Sequence, residues 1–418
     1  MDTAPVARDI IEIFERHGEW REAEAKRLVK ANVVPLEVRS DAEQRTRYIP
    51  GKEVVQYWGF SYGTILGATL SAMFPDRIHR AVLDGVADAR DYMAGGWSTN
   101  LVDTDLTFVK LAEYCYEGGV EHCPLWHEDG PAFIAADVQK IFADFRTNPI
   151  AVPGNSTHGP QIVTFDDLKH LIRDIVYNPL RDFPPTAKII YEVGQGNGTA
   201  LAAWKLSQQP NLGDPISEQC KKDGPYSPSC FPPSGGMIWD ATYAIACSDG
   251  LPRTDMTKEE YREYANNIMG QSRLIGESWA TIQLPCTAWH ARPNWRYNDD
   301  YGLEEPIKTA HPIMFVGNTI DPVTPLRNAF LMAKGFEGAA VLHQDSEGHC
   351  TYASPSMCSG RVLREYFQAG MLAESKTVCE PNRLPFDGYS EHVMPNLPEG
   401  ETDEALWDAL VGLNRVWP

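Results

Sequence analysis

Apolar positions along this chain of 418 residues fall into short blocks whose spacing changes from one stretch to the next. Near the start, Val6, Ile10, Ile13 and Phe14 recur at three- and four-residue steps, which predicts a helix with one apolar face. A charged linker over 35–53 leads into Val54-Val55-Gln56-Tyr57-Trp58, a run apolar enough for a buried strand. Ile65, Leu66, Thr69, Leu70 and Met73 then form a helical stripe, with Gly63, Gly67, Ala68 and Ala72 as small packing positions. Pro75 ends that helix because its ring cannot continue the hydrogen-bond ladder. Ala81-Val82-Leu83 begins a second buried strand.

From about 96 to 305 the pattern loosens into an irregular, helix-leaning insert rich in Pro, Gly and Cys. Strand and helix alternate again over 306–385, with apolar runs at Ile313-Met314-Phe315-Val316 and Ala339-Ala340-Val341-Leu342-His343. A mixed tail, 386–418, closes the chain, and no internal repeat is present. The alternation predicts an α/β fold: a parallel sheet built from residues 1–95 and 306–385, with 96–305 as a cap inserted between its halves. Ligands of such sheets sit beyond the carboxyl ends of the strands.

Three residues with reactive side chains lie just past those ends. Gly59-Phe60-Ser61-Tyr62-Gly63 fits G-x-S-x-G, a strained strand-to-helix turn that lifts a serine oxygen above the sheet. Glycines on both sides are expected because a Cβ there would meet the neighbouring strand or helix. Asp321 follows the strand at 313–316, and Gly348-His349 follows the one at 339–343. Serine, acid and histidine in that order are what an α/β-hydrolase requires: an attacking oxygen, a carboxylate that sets the imidazole tautomer, and an imidazole that takes the proton. In a chain with 33 glycines the pentapeptide arises by chance in roughly one chain in ten; a strand before it and a helix after it strengthen it. Asp84, after the preceding strand, is the rival acid, better read as a strand-end carboxylate bonded to nearby backbone.

Composition narrows the partners. A net charge of −20, spread along the chain, argues against nucleic acid or an anionic membrane surface. No apolar run approaches the roughly 18 residues of a spanning helix, and acidic and basic residues fill the first twenty positions where a secretion signal needs an apolar segment. Nine cysteines, none in a C-x-x-C pair, speak against zinc, and nothing calls for another cofactor. Together with two glycosylation acceptor patterns, Asn155-Ser156-Thr157 and Asn197-Gly198-Thr199, the cysteines point to an oxidising compartment. Trp97, Trp126, Trp204, Trp239, Trp279 and Trp289 are available to line a pocket under the cap, though most are expected in its core.

The segments VVQYWGFSYGTILGATLSAMFPDRIHRAVLDGV, HPIMFVGNTIDPVTPLRNA and SEGHCTYASPSMCSGRVLREYFQAGMLAESKTVCEP resemble the tripeptidyl aminopeptidase-like branch of the proline-iminopeptidase group, secreted serine hydrolases. The resemblance implies an α/β-hydrolase fold with Ser61 as nucleophile, Asp321 as orienting acid, His349 as base and the Tyr62 backbone N–H as an oxyanion donor. It also implies disulfides Cys247–Cys286 and Cys358–Cys379; proximity in sequence adds Cys115–Cys123 and Cys220–Cys230, leaving Cys350 as a buried free thiol. The implied substrate is the amino-terminal end of a peptide, the implied location extracellular. Two other readings keep the same residues: a hydrolase of small esters or lactones, and a non-catalytic hydrolase-like chain.

The family pattern further implies strands and a glycine-rich loop ahead of the first helix, the loop supplying a second oxyanion donor. No such loop occurs in this sequence. On that expectation Tyr57-Trp58 lies on an exposed strand edge open to self-association or a partner, and an oxyanion site with one donor loses about 3 kcal/mol of transition-state stabilisation.

Overall fold

The computed structural model describes residues 2–33, 35, 38–156, 158–208, 217–224, 227–230, 238–297, 300–388 and 403–416. The first half of the core runs α1 (Thr3–Lys30), α2 (Arg39–Thr46), β1 (Val55–Phe60), α3 (Tyr62–Met73), β2 (Ile78–Asp84) and α4 (Ala89–Met93). The cap follows: α5 (Thr104–Gly118), α6 (Pro131–Thr147), a hairpin of β3 (Ile150–Val152) and β4 (Gln161–Val163), α7 (Phe165–Ile175), α8 (Pro179–Gly194) and α9 (Thr199–Ser207). It continues through α10 (Glu218–Asp223), α11 (Ile238–Asp249), α12 (Lys258–Gln271) and α13 (Gly276–Ala280). The chain then returns to the core with β5 (Met314–Ile320), α14 (Leu326–Ala333), β6 (Ala340–Glu347), α15 (Met357–Ala369), β7 (Val378–Cys379) and a last helix α16 (Glu404–Val416).

The main sheet is parallel throughout, in the order β1-β2-β5-β6-β7. Successive side chains of a strand point to opposite faces, and here both faces are covered. Ala81, Leu83, Ile313 and Phe315 join a core with Ala7 and Ile11 of α1, Ile65, Ala68 and Leu70 of α3, and Ala329 and Met332 of α14. Val82, Met314, Val316 and Leu342 face the other way, onto Leu363 and Tyr366 of α15. That double burial is why the strands read as unbroken apolar runs. The cap is an excursion between neighbouring strands β2 and β5, with its own core of Leu111, Val138, Phe145, Leu168, Ile172, Phe183 and Ile190.

Several expectations shift. The helix at the start buries Thr3, Ala4, Ala7, Ile11 and Gly18, whereas Ile13 is exposed: small residues allow close approach to α3, and the buried stripe turns toward them. The strand expected at 54–58 runs to Phe60, and the one expected at 339–343 runs to Glu347, bringing His349 nearer its end. The linker 35–53 contains α2, which buries nothing. β1 is an edge strand, as expected, but its aromatic rings are not the exposed part. Tyr57 turns inward to donate to the Gly63 carbonyl at 2.6 Å, and Trp58 packs against Phe60 and Phe367.

The four disulfides pair as expected, Cys115–Cys123, Cys220–Cys230, Cys247–Cys286 and Cys358–Cys379, and Cys350 is free and buried.

Candidate active site

Register brings the reactive residues together. Phe60 pairs with Asp84, Asp84 with Val316, and Ile320 with Glu347, so β1 and β2 end level with each other, β5 and β6 end together four residues further on, and Ser61, Gly85, Asp321 and Gly348 follow at the same carboxyl edge of the sheet. Ser61 has φ 54° and ψ −121°, a conformation that costs a non-glycine residue about 1–3 kcal/mol. Its backbone is held on both sides. The N–H donates to the Asp84 carbonyl at 3.0 Å, and its carbonyl accepts from the Thr64 N–H at 2.8 Å and hydroxyl at 2.6 Å.

The tight approach expected of the flanking glycines is real at Gly59, where a Cβ would lie 2.4 Å from the Gly63 carbonyl oxygen. At Gly63 a Cβ would meet only the Tyr57 hydroxyl, at an ordinary 3.4 Å. The second crowded position is Gly67, where a Cβ would come within 2.4 Å of Leu83. Space at the turn is therefore set where α3 crosses β1 and β2, and Gly63 is not sterically required.

Asp321 is wholly buried. Its carboxylate accepts from the backbone N–H groups of Val323 (3.0 Å), Thr324 (2.8 Å) and Cys350 (3.0 Å), and both oxygens lie 3.1 Å from His349 Nδ1. Burial opposes ionisation, but the charge and hydrogen bond of His349 and the N–H groups of Cys350 and Val323 outweigh it, holding the carboxyl below its usual range. A nitrogen between two carboxylate oxygens carries the proton, so Nε2 is left as the acceptor. Nε2 is buried and has no hydrogen-bond partner among the described residues, Ser61 Oγ included. Such bonds tighten only when substrate arrives.

Cys350 locks the histidine loop to the elbow: its thiol reaches the same Asp84 carbonyl that the Ser61 N–H bonds, at 3.4 Å. Burial, with the charges of Asp84 and Asp321, pushes the thiol well above its ordinary value, so it stays protonated. Asp321, His349 and Cys350 are grouped tightly enough to suggest metal ligands. Their chemistry says otherwise: both carboxylate oxygens already accept N–H bonds, Nδ1 donates, and the sulfur keeps its proton.

Asp84, the rival acid, bonds elsewhere. It accepts from the Thr351 N–H at 2.9 Å and hydroxyl at 2.5 Å, anchoring the loop beyond His349. Burial raises it to about 6 against those hydrogen bonds.

Tyr62 opens α3, so its backbone N–H is among those at a helix start without an intrahelical acceptor. Its hydroxyl lies 2.6 Å from that of Thr3, which donates to Asp249 at 2.6 Å, as Tyr92 does at 3.0 Å. Nothing in the sequence near Asp249 signals this junction of α1, α3, α4 and α11.

The cap rests directly on the acid and histidine loops, through residues that the sequence does not single out. Asn100 and Thr104 donate to the carbonyls of Val323 (2.9 Å) and Pro322 (2.5 Å), and Tyr114 donates to Glu347. The His349 N–H donates to the Tyr177 carbonyl at 2.8 Å, and the two rings meet edge to face at 5.2 Å. Of the tryptophans, Trp97 and Trp279 contact each other beside Tyr177 and Val323. Trp126 and Trp204 pack in the cap core, Trp289 donates to Ser248, and the Trp239 side chain lies outside the described residues.

Comparison with known proteins accords with this geometry. Residues 272–379 match the family described as TAP-like protein. The chain is 23% identical over 346 residues to a tripeptidyl aminopeptidase of Streptomyces lividans, covering 80% of this chain and 56% of that protein, and likewise to one of Streptomyces coelicolor. It is 22% identical over 368 residues to the serine protease Hip1 of Mycobacterium tuberculosis, covering 84% of this chain and 62% of that protein. The chain thus spans somewhat over half the length of these relatives.

Proposed function

Starting from a relative of the tripeptidyl aminopeptidases on an α/β-hydrolase fold, we propose that this protein is a serine hydrolase that releases short peptides from the amino termini of peptides. The observation that carries the proposal is the buried Asp321–His349 pair, whose unpartnered Nε2 belongs to the strand-end row that also holds the strained Ser61.

In this reading Ser61 Oγ attacks a scissile carbonyl while His349 Nε2 takes its proton. The Tyr62 N–H stabilises the developing oxyanion. The imidazolium returns the proton to the leaving amine, an acyl-enzyme remains on Ser61, and water activated by His349 releases the acyl group. Asp321 stays ionised throughout, holding Nδ1–H and offsetting the imidazolium charge. The cap, seated on both loops, selects the substrate.

The disulfides suit an oxidising, extracellular setting, and among the described residues no helix is long and apolar enough to cross a membrane. Asn155 and Asn197 are exposed, as glycan acceptors must be, although Thr157 of the first acceptor pattern lies outside the described residues.

The test is labelling with a fluorophosphonate probe, followed by assays on peptide p-nitroanilides with free and blocked amino termini beside p-nitrophenyl esters. The expected result is labelling lost in Ser61→Ala and turnover that requires a free amino terminus. Turnover of esters alone would reject the peptidase reading in favour of a small-ester hydrolase. A folded protein that Ser61 does not couple to the probe would mark a non-catalytic chain.

A further inference from the structure

A hollow lined by none of Ser61, Asp321 and His349 lies in the cap. It is a groove of about 710 Å³ between α5, α6 and α7, lined also by Arg273 and Leu274. That volume falls within the roughly 300–1,000 Å³ of small-molecule sites. Its floor is apolar, formed by buried Leu111, Val138 and Ile172 with the rings of Phe108 and Phe142, and Val109 on its wall is half exposed. The floor's aliphatic side chains are already out of water; the apolar surface still open to solvent is that of Val109 with the partly buried rings of Phe108 and Phe142, which an apolar ligand tail would cover.

Charge at the rim states what covers it. Although the whole chain carries −20, three of the four charged side chains lining the groove are cationic. Lys169 is already paired with Glu277 at 2.5 Å. The one acid, Asp105, accepts from the Ser272 hydroxyl at 2.6 Å and from the Arg273 backbone N–H at 3.0 Å. Among the described residues neither guanidinium makes an ion pair. Arg146 is exposed and lies over the Phe165 ring at 4.8 Å, and Arg273 is exposed at the groove's edge. Exposed guanidiniums above an apolar trench match a ligand with a long apolar tail and one anionic head, which Arg holds by paired N–H bonds.

We propose that this groove binds a long-chain fatty acid, tail along α5 and α6 and carboxylate between Arg146 and Arg273. The proposal does not depend on the catalytic reading and is tested without an activity assay. The full chain is titrated with a dansyl-labelled undecanoic acid below its micelle concentration, and the probe is then displaced with dodecanoate or with dodecanol. The expected result is saturable binding of one equivalent, with dodecanoate displacing the probe at concentrations at least about tenfold lower than dodecanol. The double variant Arg146→Ala/Arg273→Ala should bind about ten- to a hundredfold more weakly, as befits loss of charge-assisted hydrogen bonds. Val109→Asp, a change at a half-exposed position, should abolish binding with an unchanged circular dichroism spectrum. Absence of saturable binding, equal displacement by acid and alcohol, or full affinity in the double arginine variant would each overturn the proposal.

Discussion

The sheet and the cap solve the same packing problem by different means. In the sheet, apolar side chains alternate between two covered faces, and the ladder register sets where each strand stops, so Ser61, Asp321 and His349 inherit their positions from backbone hydrogen bonds. In the cap, helices pack side chain to side chain around a separate core, three of the four disulfides lie there, and the groove stays open between α5, α6 and α7. The proposed function divides the labour along the same line, with chemistry where geometry is propagated by the backbone and recognition where it depends on side-chain packing that tolerates change.

The largest effect expected is at the elbow. Ser61→Ala should lower turnover by about 10⁴-fold or more while shifting stability by no more than about 0.5 kcal/mol, read from turnover assays and urea denaturation. A parallel collapse of stability would mean that chemistry and packing are not separable in the sheet.

Next comes a cut in the cap. Replacing Cys247 and Cys286 by serine opens a loop of 39 residues, an expected cost of about 4 kcal/mol. Hydrogen exchange should rise in α11 and the segment 281–288 and stay slow in β2 and β5. Equal loss of protection in both regions would show that cap and sheet unfold as one unit.

A third test concerns Asp84, deep in the sheet. Its carboxyl is raised to about 6 in the folded state, so its contribution to stability is full below the unfolded value near pH 4 and is lost as pH rises through 6. The size is roughly 3 kcal/mol from the shift. Asp84→Asn should flatten the dependence of unfolding free energy between pH 4 and 6; an unchanged slope would assign it to other groups. Asp321, lowered instead, acts in the opposite sense, its contribution fading as pH falls.

The smallest effect sharpens the junction between the regions. Tyr114→Phe removes the donor to buried Glu347 and should cost about 1–3 kcal/mol, measured by thermal denaturation. If only the cap loosens, labelling of Ser61 changes little. If the histidine loop loosens too, labelling slows, because Glu347 stands two residues before His349.

Sequence alone determined a good deal. Apolar runs, a glycine-flanked serine and helix stripes are local signals, and they marked the parallel sheet, the elbow and the two loops that carry Asp321 and His349. Local pattern misread the first helix, where Ile13 counts as apolar yet small Ala4 and Ala7 decide which face approaches α3. It also read Gly63 as crowded, whereas the crowding falls on Gly67, whose neighbour Leu83 is on the next strand.

Only the tertiary structure decided that His349 Nδ1 faces Asp321 rather than Asp84, since both acids follow strands and differ only in what folds back on them. The seating of Tyr177 on His349, the Asp249 junction and the groove beneath Arg146 and Arg273 join positions far apart in the chain. No periodicity announces such contacts. Periodicity records which face of an element avoids water; the partner that covers it is chosen by how distant elements pack.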